Sequence, residues 1–119
     1  MYFFDTYALI EIIKGNKNYE RFKDCELVTG TLNLGELYWI LLKEYDKKTA
    51  DYWCKHINFD LIDVNSELIL EAVYFRYLNR KKNLSLIDCV GYVTALQYGL
   101  KFLTGDKEFE GMKQVEFVK

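Results

Sequence analysis

Five short runs rich in aromatic and β-branched residues, near 1–4, 25–29, 59–63, 101–104 and 115–118, alternate with longer segments of helical periodicity. The helical segments lie near 6–14, 17–23, 33–45, 48–57, 65–82 and 85–99, with a short one near 107–111. Strands that alternate with helices cannot be joined as hairpins, so the order predicts an α/β fold: three layers, a mostly parallel five-stranded sheet flanked by helices. In 33–45, Leu34, Leu37, Tyr38, Leu41 and Leu42 recur at the spacing of one buried helical face. In 65–82, Leu68, Ile69, Ala72, Val73, Phe75 and Leu78 do the same, ahead of an exposed basic cluster, Arg80-Lys81-Lys82, that suits a helix C-terminus.

At 119 residues and 14.2 kDa, with no linker, repeat or low-complexity stretch, the chain reads as a single domain over 1–119. Half of its residues are hydrophobic, but no uninterrupted apolar run approaches the length that crosses a bilayer, and MYFFD lacks the basic and long apolar regions of a signal peptide. A soluble, cytoplasmic protein with no membrane partner is expected. Cys25, Cys54 and Cys89 are odd in number and form no C-x-x-C pair, which argues against a disulfide framework and a zinc ribbon. Sixteen basic against eighteen acidic residues give a net charge of −2, so any nucleic-acid contact must rely on a local patch or a metal.

Four acids stand beside strand ends or helix starts: Asp5 in FFDT, Glu36 in LNLGEL, Asp88 in LSLIDC and Asp106 in LTGDKEF. In open parallel α/β sheets, ligands bind beyond the carboxyl ends of the strands. Asp5 ends the first strand, Asp106 lies just past the fourth, and Glu36 falls in the opening turn of the helix after the second. Asp88 opens a helix running antiparallel to the strand it feeds, so it returns to the same edge. Each acid alone has a structural explanation, because Ser85-x-x-Asp88 fits a capping box, Asn33-x-x-Glu36 resembles one, and Asp5 or Asp106 can cap the adjoining helix or turn. Together they are costly: two like charges ~6 Å apart at an effective dielectric of ~20 repel by roughly 3 kcal/mol. A hard divalent cation, Mg²⁺ or Mn²⁺, relieves that repulsion through oxygen ligands and leaves room for a phosphate. The only histidine, His56, falls late in a helix at no catalytic spacing, so histidine-based mechanisms are not available.

The opening FFDTYALIEII, the segment LNLGELYWILL and the run LSLIDCVGYVTALQYGLKFLTGDKEF resemble, in order and over nearly the whole chain, the PIN-domain nucleases, especially the small VapC-like toxin ribonucleases. The resemblance implies that Asp5, Glu36, Asp88 and Asp106 form a metal-binding catalytic pocket assisted by Thr104. It also implies that Mg²⁺ or Mn²⁺ serves as cofactor and that RNA phosphodiesters are hydrolysed in line by an activated water. A homodimer and a small antitoxin protein are its implied partners. Glu108 stands where family members often carry a shorter Asp, which limits it to a supporting role.

Arg76, Arg80, Lys81, Lys82 and Lys107 are the candidate RNA-backbone contacts, with a solvated helix end as their alternative. Tyr7, next to the first motif, is a candidate for stacking on a base. Tyr19, Phe22, Tyr38, Trp39, Tyr52 and Trp53 are more aromatic surface than a small core needs; Tyr19 and Phe22, with Tyr52 or Trp53, are expected at a dimer or antitoxin surface. A housekeeping RNA-processing nuclease is the nearest alternative function. A phosphoacceptor receiver domain would need paired acids after the first strand and an acceptor on the third, where Asp63 is the only candidate; a non-cutting binding module would leave four acids unexplained.

Overall fold

In the computed structural model, which describes residues 1–119, five strands form one sheet: β1 (Tyr2–Phe4), β2 (Val28–Gly30), β3 (Asp60–Ile62), β4 (Lys101–Thr104) and β5 (Val115–Phe117). Their order is β3-β2-β1-β4-β5, and every pairing is parallel, β5 included, where the sequence suggests a mostly parallel sheet. The helices are α1 (Thr6–Ile13), α2 (Thr31–Glu44), α3 (Lys47–His56), α4 (Ser66–Leu78) and α5 (Leu86–Gln97). Lys17–Phe22 and Lys107–Phe109 are 3-10 helices.

Adjacent residues of a strand point to opposite faces, and this divides the core in two. Phe3 and Phe102, paired in register with rings stacked 5.9 Å apart, face α4 and α5 along with Tyr92 and Phe109. Phe4 and Leu103, the next pair in register, face the other way into a cluster with Leu9, Tyr19, Phe22, Leu37 and Leu41. All of these side chains are buried. The chain runs outward from β1 through β2 to β3, then returns to place β4 against the other side of β1. The order therefore reverses between β1 and β4, and a crevice opens beyond their carboxyl ends.

Two helices end earlier than the periodicity predicts. α4 stops at Leu78 because Asn79 bonds its own side-chain amide to the Phe75 carbonyl (2.9 Å), an alternative to continuing the helix, so Arg80, Lys81 and Lys82 lie in the turn beyond it. α5 closes at Gly99, whose φ of +67° lets Gly99 N–H reach Leu96 O and Leu100 N–H reach Ala95 O. The expected buried face of α4 is only partly right: Leu68 and Ala72 are buried, whereas Val73 and Leu78 are exposed beside Leu70, Tyr74 and Tyr77. A helix apolar all round gives no periodicity from which to choose its inner face.

Candidate active site

Asp5 sits in the reversal crevice. Its backbone N–H completes the ladder to Leu103 O (3.1 Å), which carries its side chain just past the sheet, where it caps α1. One carboxyl oxygen accepts from Thr6 N–H (2.9 Å) and the other from the Thr104 hydroxyl (2.7 Å). Thr104, the last residue of β4 and fully buried, also accepts from Asp106 N–H (3.1 Å), so one hydroxyl ties the ends of both central strands together. Asp106 caps the 3-10 helix Lys107–Phe109 by accepting from Glu108 N–H (3.0 Å).

Asp88 arrives from α5 through the capping box the sequence suggests: Ser85 N–H donates to its carboxylate (2.9 Å), and its own N–H donates to Ser85 Oγ (3.1 Å). Glu36 differs from expectation. α2 starts at Thr31 with Gly30 as a side-chain-free cap, so Glu36 lies in the second turn and Asn33 caps nothing. Asn33 is instead buried, donating to Thr6 Oγ1 (3.0 Å), while its Oδ1 has no partner. Sequence reading gives Asn33 only as a cap and misses Thr6. The one signal for Asn33 is a small polar residue at i−3 from Glu36, on the same face of the helix, and for Thr6 its place directly after Asp5.

The carboxylates sense one another. Burial pushes Asp5 up to about 7, opposed by the Thr104 hydroxyl and assisted by the charges of Asp88 and Glu36. Burial also raises Glu36, opposed by the Thr6 hydroxyl and assisted by Asp88. Asp88 is raised chiefly by burial; the bonds from Ser85 pull it down, Asp106 pushes it up and Arg76 pulls it down. No three His, Cys, Asp or Glu side chains close into a ready-made cage, and Asp5, Asp88 and Asp106 are each engaged at the start of their own helix. What converges is a set of oxygen ligands, three of whose carboxyls, the buried Asp5 and the partly buried Glu36 and Asp88, are raised by loss of solvent and by a neighbouring carboxylate. An all-oxygen set of this kind suits a hard divalent cation.

Glu108 stands beside this set. Its carboxylate accepts from Asn83 N–H (2.8 Å) and its carbonyl from Lys82 Nζ (3.2 Å), which pins the turn after α4 to the 3-10 helix. Arg76 holds the same turn through Leu84 O (2.9 Å). Arg76, Arg80, Lys82 and Asn83 line a hollow of about 370 Å³ next to the turn that leads to Asp88; Lys81 is exposed in the same turn, and Lys107 is exposed at the start of the 3-10 helix after Asp106. Tyr7 is half-buried, its ring laid where a side chain on Gly105 would fall.

Two expectations are corrected. Tyr19 and Phe22 are 1% and 2% exposed and belong to the core, with the Tyr19 hydroxyl bonded to Val118 O, so neither can contribute to a partner surface. Asp63 is exposed just past β3, the edge strand, far in strand order from Asp5 on the central one, which removes the receiver-like arrangement.

The family model described as PIN domain matches residues 2–115. Among solved structures, VapC20 of Mycobacterium tuberculosis, described as a sarcin-ricin loop cleaving toxin, superposes with a TM-score of 0.85 at 15% identity over 100% of both chains. A toxin-antitoxin complex from Klebsiella pneumoniae matches at 0.75 and 19% identity over 98% of this chain and 96% of its own. VapBC2 of Rickettsia felis, bound to a DNA fragment from its promoter, matches at 0.77 and 15% identity over 99% and 98%. No curated protein matches the chain.

Proposed function

The chain belongs to the PIN-domain family, and from that premise we propose that it is a divalent-metal-dependent endoribonuclease, the toxin of a toxin–antitoxin pair. The observation that carries the reading is the gathering of Asp5, Glu36 and Asp88 at the point where the sheet reverses order, each raised chiefly by burial and further by a neighbouring carboxylate, which for Asp88 is Asp106. Structural neighbours described as a toxin and as a toxin-antitoxin complex support the biological role.

Asp5, Glu36, Asp88 and Asp106 would hold Mg²⁺ or Mn²⁺. When bound, the ion supplies Lewis acidity, lowering the pKa of a water and screening the charge that grows on the phosphate. Thr104 fixes Asp5 and Asp106 relative to each other, and Thr6, held by Asn33, stands against Glu36. Arg76, Arg80, Lys81, Lys82 and Lys107 would hold backbone phosphates, and Glu108 keeps the loop that carries part of this set in place. No histidine, cysteine or serine nucleophile is required.

A second copy would cover α4, whose Leu70, Val73, Tyr74, Tyr77 and Leu78 form an exposed stripe at helical spacing. The small antitoxin protein is a separate partner, and the locus is cytoplasmic on this reading.

The test is the Asp88→Asn variant. Asn at this position still accepts from Ser85 N–H, so the capping box survives while one ligand charge is lost. Metal-dependent RNA cleavage should disappear with the thermal midpoint nearly unchanged and RNA binding retained. Cleavage near the parent rate would remove Asp88 from the catalytic set.

A further inference from the structure

α2 carries a feature that packing does not explain. Gly35 lies inside the helix, next to Glu36, and a Cβ built on it would meet nothing within 4 Å. A mid-helix glycine sacrifices stability, and here it gains no close packing in return. One turn on, at i+4 from Gly35 and i+3 from Glu36, Trp39 is 62% exposed. Tyr52 and Tyr77 are exposed with partners, the Trp53 ring and the Arg80 guanidinium; Trp39, like Tyr45, Tyr74 and Tyr98, pairs with no ring or cation, and of these four it alone stands within one helical turn of a candidate carboxylate. A further turn on, at i+4 from Trp39, Lys43 is exposed and forms no ion pair.

We propose that Gly35, Trp39 and Lys43 form a nucleobase subsite of single-stranded RNA beside the cleavage site: the base stacks on the Trp39 indole, its edge enters the open space over Gly35, and Lys43 meets the adjoining phosphate. The proposal rests on the ribonuclease reading and deepens it. Residues at i, i+4 and i+8 share one face, and a helical side chain leans toward the N-terminus, so Trp39 leans toward Gly35 and Glu36. A π-face beside a bare, solvent-exposed stretch of helix backbone and a cation matches what a sequence-tolerant strand binder presents. The place of Trp39 one turn from Glu36 favours a strand entering the cleavage site over a protein surface, which could use an indole at any point of the helix.

Binding is measured by anisotropy of a fluorescein-labelled single-stranded RNA in chelator, and cleavage under single turnover with Mg²⁺. Trp39→Ala should weaken binding about tenfold, with Trp39→Phe restoring most of it, as expected for loss and partial recovery of one stacked base. Gly35→Leu should raise the thermal midpoint, because it replaces a mid-helix glycine, and yet weaken RNA binding by a similar factor. Lys43→Ala should reduce the slope of log affinity against log salt by about 0.7. A parent that neither binds nor cuts RNA overturns the ribonuclease reading itself. A parent that binds RNA while Trp39→Ala and Gly35→Leu bind equally well overturns the subsite alone, as does a Trp39→Ala variant impaired only toward a protein encoded beside the gene.

Discussion

At the scale of single residues, the ends of strands are readable and the interior of α2 is not. FFDT announces a carboxylate at a strand end, and Asp5 is found there because its own N–H finishes the ladder with Leu103. Glu36 lies one turn later in its helix than its sequence context suggests, because Gly30 caps the helix without a side chain, and a cap that makes no side-chain bond leaves no mark in the sequence. The burden on Asp5 predicts a pH dependence. Its folded-state pKa is raised from 3.8 to about 7, so its contribution to stability is fully present below 3.8 and is lost as pH rises through 7. Glu36 and Asp88 are raised as well and act in the same sense. Metal-free protein should therefore melt at a higher temperature at pH 5.5 than at pH 8, and Mn²⁺ should stabilise it most at pH 8. Scanning calorimetry of parent and Asp5→Asn checks this: the variant should flatten the dependence, and a metal-free parent more stable at pH 8 would contradict it.

At the scale of elements, the number and order of strands and helices are legible from periodicity and their inner faces less so. Tyr19 and Phe22 look like surplus surface aromatics in the sequence, but in a 3-10 helix residues three apart eclipse, and both turn into the core. The capping box of α5 is legible because both of its partners are side chains within three residues. Ser85→Ala should cost about 1 kcal/mol of stability in chemical denaturation, since it removes the acceptor of Asp88 N–H. The corner after β4 is tighter: a Cβ on Gly105 would fall 2.3 Å from the Tyr7 ring and 2.5 Å from Val118 O. Gly105→Ala should cost about 3 kcal/mol through overpacking and disturb the strand end that carries Thr104 and Asp106. A midpoint shift no larger than that of a surface alanine would show that the corner relaxes freely.

At the scale of the whole molecule, an acidic chain is expected to handle a polyanion by dividing its charge. Four of the eighteen acids gather where β1 and β4 reverse order, and four of the sixteen basic residues, Arg76, Arg80, Lys81 and Lys82, lie at the end of α4 and in the turn after it, which Glu108 and Asn83 tie to the site. Net charge conceals this, so composition alone indicates only that a local patch is needed. Association belongs to the same scale. The exposed stripe on α4 predicts that Tyr74→Glu shifts the protein toward monomer in sedimentation velocity, while Tyr52→Glu, on α3, leaves the oligomeric state unchanged. A parent that stays monomeric at high concentration would leave that stripe to another partner.

The central claim is that the carboxylates around Asp5 make this fold a metal-dependent ribonuclease. Purified parent and Asp5→Asn protein, incubated with single-stranded RNA with chelator, with Mg²⁺ and with Mn²⁺, test it most directly. The account predicts cleavage by the parent only when divalent metal is present and none by the variant under any condition. Equal cleavage by both proteins, or cleavage by the parent that persists in chelator, would contradict it.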